Sequence, residues 1–150
     1  DAEVRMHAIE ALAHMRDARA ADGFIAALKD ENPEVRAKAA EALGELPEIR
    51  RGYSAEAQRT SLALSALIND VSALVRRSAI QALREVKGAR PTDALIAALK
   101  DADAEVRQSA ADALGDMEAR NASQQLIALL NDPNAQKKAE QLLKKLDRNQ

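Results

Sequence analysis

The chain has 150 residues with 22 Lys and Arg against 24 Asp and Glu, a formal net charge of −2. That length and a hydrophobic share of 47% allow a buried core and exclude a disordered composition, and the near-balanced charge gives no sequence-wide attraction to nucleic acid or anionic lipid. The lack of cysteine removes disulfides, thiolate nucleophiles and cysteine metal sites, and no apolar run approaches the roughly 18–20 residues that span a bilayer.

The apolar share is 34 alanines and 18 leucines, with Phe24 and Tyr53 the only aromatics. Alanine and leucine are strong helix formers, and small side chains let helices approach closely, so composition points to helices.

Taken in chain order, the predicted elements alternate between two kinds of helix. A "second" helix spans 3–15 and recurs at 34–46, 74–87, 105–117 and, more divergently, 135–147. Its anchors are Val4, Val35, Val75 and Val106, with Ala135 in the last copy, spaced by 31, 40, 31 and 29 residues. Val4, Ala8, Ala11, Leu12 and Met15 trace one stripe at 3.6 residues per turn. A "first" helix fills each gap: DGFIAALKD at 22–30, SLALSALIND at 61–70, TDALIAALKD at 92–101 and ASQQLIALLND at 122–132. Asn32-Pro33 and Asp132-Pro133 place proline at helix starts, where its missing N–H costs nothing. Gly44 and Gly115, following Ala-Leu, are predicted to sit near helix ends as left-handed caps.

A single pair cannot bury its own stripe, so the pairs must stack into one continuous core. Two ends follow. The last helix, with Lys137, Lys138, Lys144 and Lys145, reads as a solvated cap. The first pair is incomplete, because Asp1 directly precedes a second helix. The expectation is a fragment of a longer chain that continues upstream, with an uncapped first helix as a place for association. No signal peptide is visible, although a missing upstream region would hide one; the compartment is left open, with the cytoplasm as the working assignment.

The V-R-x-x-A-x-x-A-L-G kernel, preceded by an L-K-D turn, resembles the HEAT repeat. More narrowly it is similar to the short bacterial variety related to phycobilisome-lyase repeats. Val35, Arg36, Ala39, Ala42, Leu43 and Gly44 carry the match, as do Val106, Arg107, Ala110, Ala113, Leu114 and Gly115. The resemblance covers nearly the whole chain and implies an all-α fold, an α-solenoid of about five HEAT-like helix pairs. It implies that second helices line the concave side, where partners bind. It also implies a ladder of Asp30, Asp70 and Asp101 with Arg36, Arg76 and Arg107 that ties neighbouring repeats.

Three features stand out as candidate sites. The solvent-facing stripe of the second helices collects Glu41, Glu45, Glu85, Asp112 and Asp116, either as a surface for a basic peptide or protein segment or as an ordinary solvated face. The 40-residue spacing places an insertion near 47–60 that holds Arg50, Arg51 and Tyr53. These residue types are enriched in binding hot spots, and the alternative is a tolerated surface loop. Within it, Ser54 could cap a helix starting near Ala55. Third, His7, Glu10 and His14 share one helix face, but zinc would still need a fourth group and supporting contacts, so no metal is assigned.

No glycine-rich phosphate loop or nucleophile elbow occurs. The chain reads as a non-catalytic protein-interaction scaffold or regulatory module that needs no cofactor and binds neither nucleic acid nor membrane. The rival reading, carried only by the resemblance, is a subunit of a bilin lyase or related protein-modifying enzyme.

Overall fold

The computed structural model describes residues 1–87 and 91–130, with side chains to residue 121, and Lys144, Lys145 and Arg148. The chain divides into two compact units, Asp1–Ala113 and Leu114–Gln150. Among the described residues the regular structure is helical, with no strand. In chain order they form α1 (Ala2–Met15), α2 (Ala21–Ala27), α3 (Pro33–Glu45), α4 (Pro47–Arg51), α5 (Ala55–Leu67), α6 (Ala73–Glu85), α7 (Thr92–Ala98) and α8 (Ala104–Leu130), with a 3₁₀ turn at Ala18–Ala20. The fold is an all-α solenoid of paired helices.

Local chemistry sets the helix starts. The Asn32 side chain accepts hydrogen bonds from Glu34 N–H (2.8 Å) and Val35 N–H (3.3 Å), with Pro33 at the first helical position. Asp103 does the same for Glu105 N–H (2.9 Å) and Val106 N–H (3.1 Å). Ser54 caps α5 by accepting from Ala57 N–H at 3.1 Å, as the sequence predicts. The second helices α1, α3 and α6 lie within two residues of their expected bounds.

Two expectations are corrected. Gly44 and Gly115 lie inside α3 and α8 and do not cap them; among the described residues the glycine with positive φ is Gly52, at +77°. α8 runs unbroken from Ala104 to Leu130, where the repeat predicts helices at 105–117 and 122–132. The stretch Glu118-Ala119-Arg120-Asn121 holds neither glycine nor proline to break it. The 47–60 insertion is largely helical, since it contains α4 and the start of α5. The predicted helix at 135–147 lies outside the described residues, apart from Lys144 and Lys145, which are helical and exposed.

The core of the first unit is the apolar stripe of the second helices. Val35, Ala39, Leu43 and Leu46 of the α3 segment are at most 1% exposed, and Val75, Ala79, Leu83 and Val86 of the α6 segment at most 2%. α3 packs along α6 more extensively than any other described pair, with α1 and α2 also against α3 and α5 against α6. A Cβ built on Gly44 would come within 2.9 Å of Ala82 Cα. The contact therefore requires glycine at position 44.

An arginine–aspartate ladder runs alongside this core. Arg5 donates through Nε and Nη2 to Asp30 (2.7 and 2.8 Å), Arg36 to Asp70 (2.9 and 2.9 Å) and Arg76 to Asp101 (2.8 and 2.8 Å). Each arginine thus grips the aspartate of the following repeat. Arg36 and Arg76 also donate through Nη1 to carbonyls of their own turn, Asp30 O and Asp70 O, both at 2.8 Å. The aspartates in turn accept from the Asn32, Ser72 and Asp103 N–H groups at 2.9 Å. Arg107 makes the own-turn contacts to Asp101 O and Ala102 O. Arg5, absent from the expected ladder, is its first member.

The ladder carries a pH signature. Burial pushes the Asp70 carboxyl up, but hydrogen bonds from Arg36 and the Ser72 N–H, with the charges of Arg36 and Arg76, outweigh it, so it lies below its ordinary value. The Arg76 hydrogen bond dominates a lowering at Asp101. A depressed carboxylate contributes stability above its unfolded pKa, about 3.9, and that contribution is lost as pH falls through the folded value.

Two predictions follow from this packing. Gly44→Ala will destabilise the protein by about 1–3 kcal/mol because α3 and α6 must move apart. Gly115→Ala meets nothing within 4 Å and will stabilise it by roughly 0.5–1 kcal/mol through helix propensity. Equal signs in urea unfolding followed by circular dichroism would contradict the close-approach argument. Arg36→Ala, which breaks a partly buried bidentate pair, will cost about 1–3 kcal/mol at pH 7. Comparing urea midpoints at pH 7 and pH 2.5 will show a smaller acid-induced loss in the variant than in the parent.

Candidate interaction groove

The close approach of α3 and α6 leaves an open groove of about 390 Å³ over the Gly44–Ala82 contact. Glu41 and Glu45 line it from α3, Gln81, Arg84 and Glu85 from α6, and Arg50 from α4. Helical spacing explains the grouping. Positions 41 and 45, and 81 and 85, are i and i+4 on helices whose apolar stripes face inward.

Charges in the groove are partly matched. Arg50 Nη2 pairs with Glu85 at 2.8 Å. Glu41 accepts from the buried Ser78 hydroxyl at 3.0 Å, and its other carboxylate oxygen lies 3.8 Å from Lys38 Nζ. Lys38 also pairs with Glu10 of α1 at 3.1 Å, and these carboxylates hold its ammonium above its ordinary pKa, the Glu10 hydrogen bond foremost. Glu45 is exposed and makes no ion pair among the described residues. The rim is therefore acidic on the α3 side and mixed on the α6 side.

Of the predicted site residues, the groove brings together Glu41, Glu45, Glu85 and Arg50. Asp112 is exposed on α8, accepts from Gln108 Nε2 at 2.9 Å, and is not among the lining residues. Asp116 belongs to the second unit, is exposed, and its carbonyl accepts from Arg120 Nε at 3.3 Å. Arg51 and Tyr53 are exposed, Tyr53 at 81%, and neither lines the groove. Arg84 was missed. It occupies the repeat position held by Gly44 and Gly115, and a charge replacing a glycine there was the available signal.

The His7, Glu10 and His14 face does not assemble a metal site. The Glu10 carboxylate is taken by Lys38, whose hydrogen bond lowers its pKa, and His14 Nδ1 donates to the Glu10 carbonyl at 2.7 Å. Among the described residues no group of three such ligands is placed to hold a metal.

The insertion supplies one wall of the groove, and a single glycine holds it there. Gly52 ends α4 in the left-handed conformation, and a Cβ there would fall 1.4 Å from Lys87 O. Lys87 N–H donates to Arg50 O at 2.9 Å, so the end of α4 is tied to the chain just past α6. Ile49, 1% exposed, anchors the same turn in the core.

The sequence profile of HEAT repeats matches residues 1–58 and 60–144. The chain belongs to the HEAT-repeat family. HEAT repeats generally serve as protein-interaction scaffolds. A search of curated proteins found no match to this chain. Among the described residues, no helix of this HEAT-repeat protein is long and apolar enough to cross a membrane.

Gly52→Ala will release α4 from α6, with a loss of about 2 kcal/mol or more from the strained φ and the steric conflict. Amide exchange at Lys87, whose N–H bonds to Arg50, will accelerate. Unchanged protection at Lys87 would show that α4 is held by other contacts.

Proposed function

We infer that this protein is a non-catalytic interaction scaffold whose groove between α3 and α6 receives a basic segment of a partner protein. The observation that carries this reading is the groove itself. Glu41 and Glu45 present carboxylates at the rim, over a floor closed by the Gly44–Ala82 contact. Glu45 is available to a lysine or arginine, while Glu85 can exchange Arg50 for a partner cation. Such complementarity governs encounter rate and register more than final affinity. The same carboxylates oppose phosphate, which argues against nucleic acid as the occupant. The reading assigns no chemistry to the groove. The narrower kinship with phycobilisome-lyase repeats rests on the V-R-x-x-A-x-x-A-L-G kernel alone.

Selection of a random peptide library on the folded protein tests this reading. Enriched peptides will carry lysine or arginine, and their binding will weaken as salt rises. The triple variant Glu41→Lys, Glu45→Lys, Glu85→Lys, checked for unchanged helicity, will lose them by at least about tenfold, or 1.4 kcal/mol. Enrichment of acidic or uncharged peptides, or equal retention by the variant, would place the binding surface elsewhere.

A further inference from the structure

Glu45 and Glu85 occupy the same repeat position, ten residues after Val35 and Val75. Both line the groove and both are exposed. They differ in what they hold. Glu45 makes no ion pair among the described residues, whereas a Glu85 carboxylate oxygen lies 2.8 Å from Arg50 Nη2. Arg50 reaches the groove from α4, inside the insertion that lengthens the Val35 to Val75 spacing to 40 residues where its neighbours have 31. The insertion thus brings a cation onto one of two equivalent carboxylates.

That ion pair is not what holds α4 in place. Its side chains are 54% and 52% exposed, and a pair so open to water adds little to stability. The helix is fixed by other contacts. Ile49 is buried in the core, Lys87 N–H donates to Arg50 O at 2.9 Å, and Gly52 turns the chain in the left-handed region against Lys87 O. The backbone of Arg50 is therefore set, and its guanidinium is a cation tethered beside Glu85. A short tether gives such a group an effective concentration on the order of millimolar or above. An arginine or lysine arriving from solution meets Glu85 against that standing competition. Because the pair is exposed, the exchange strips no buried charge.

We propose, on the reading of the groove as the seat of a basic partner segment, that Arg50 is an intramolecular stand-in for a partner cation and that the insertion thereby sets how tightly the groove binds. Glu45 receives a partner cation unopposed. A cation at Glu85 displaces Arg50, whose guanidinium turns out to solvent while α4 stays docked through Ile49 and the Lys87–Arg50 backbone bond. Arg50 is in this sense an affinity-setting residue that weakens binding.

Capped tetra-arginine peptide, titrated into isotopically labelled protein, is the probe. Amide shifts at Glu41, Gly44 and Glu45 report occupation of the groove. Arg50→Gln removes the tethered cation and will tighten binding by about two- to fivefold, the range set by one exposed ion pair. Its Lys87 amide will keep the parent's exchange protection, which shows that α4 is still docked. Arg51→Gln removes the same charge from an exposed residue of α4 that does not line the groove, and it will give a smaller gain. Arg50→Lys keeps a tethered cation and will bind as the parent does. Equal gains from Arg50→Gln and Arg51→Gln, with shifts still at the groove, would overturn the stand-in role and leave the groove reading in place. No shift at Glu41, Gly44 or Glu45 at millimolar peptide, in the parent and in Arg50→Gln alike, would overturn both.

Discussion

The approach of α3 to α6 constrains everything else in the first unit. A helix of 13 residues is marginal alone in water and gains most of its stability from packing an apolar face. In this chain that face is built from alanine, glycine and a few leucines and valines, with no large aromatic to fill space. Such residues bury enough area only when the helix axes come close, which the Gly44–Ala82 contact achieves. From that separation follow the depth of the groove above the contact, the spacing of Glu41 and Glu45 from Gln81 and Glu85, and the position of α4 across one end.

Close packing of smooth helices leaves their relative slide weakly determined, because alanine stripes interlock poorly. The arginine–aspartate ladder supplies the missing register. Each guanidinium is held by two bonds to the next repeat's carboxylate, and the inner arginines also bond to carbonyls of their own turn. A shift of one helical turn would break these bonds and expose partly buried charges. The same aspartates accept the N–H of the residue two positions on, so each one orders its turn as well as its interface.

The candidate groove was legible only in part. Glu41, Glu45 and Glu85 could be read from their repeat position, because solvent-facing positions on a helix are set by its periodicity. Arg50 was singled out for a different reason, as part of an insertion, and its pairing with Glu85 across 35 residues was not readable. Within the insertion the helix starting near Ala55 was legible from Ser54; the one-turn α4 before it was not, because its direction depends on Gly52 fitting against Lys87, a contact between segments far apart in sequence. Tyr53, conspicuous as the only tyrosine, lies exposed away from the groove, because residue type alone does not place a side chain.

The sequence alone determined the all-α class, the pairing of helices and the second-helix bounds of the early copies. All of these follow from local rules: propensity, capping and a 3.6-residue period that each segment carries within itself. Tertiary structure decided which aspartate each arginine holds, that Gly44 is a contact point and not a cap, and that α8 runs on past the expected turn. It also decided which of five acidic candidates share a groove. Those outcomes depend on distances between segments that repeat spacing does not encode. A glycine after Ala-Leu has the same local signature whether it ends a helix or admits a neighbour, and only the presence of Ala82 beside Gly44 distinguishes the two.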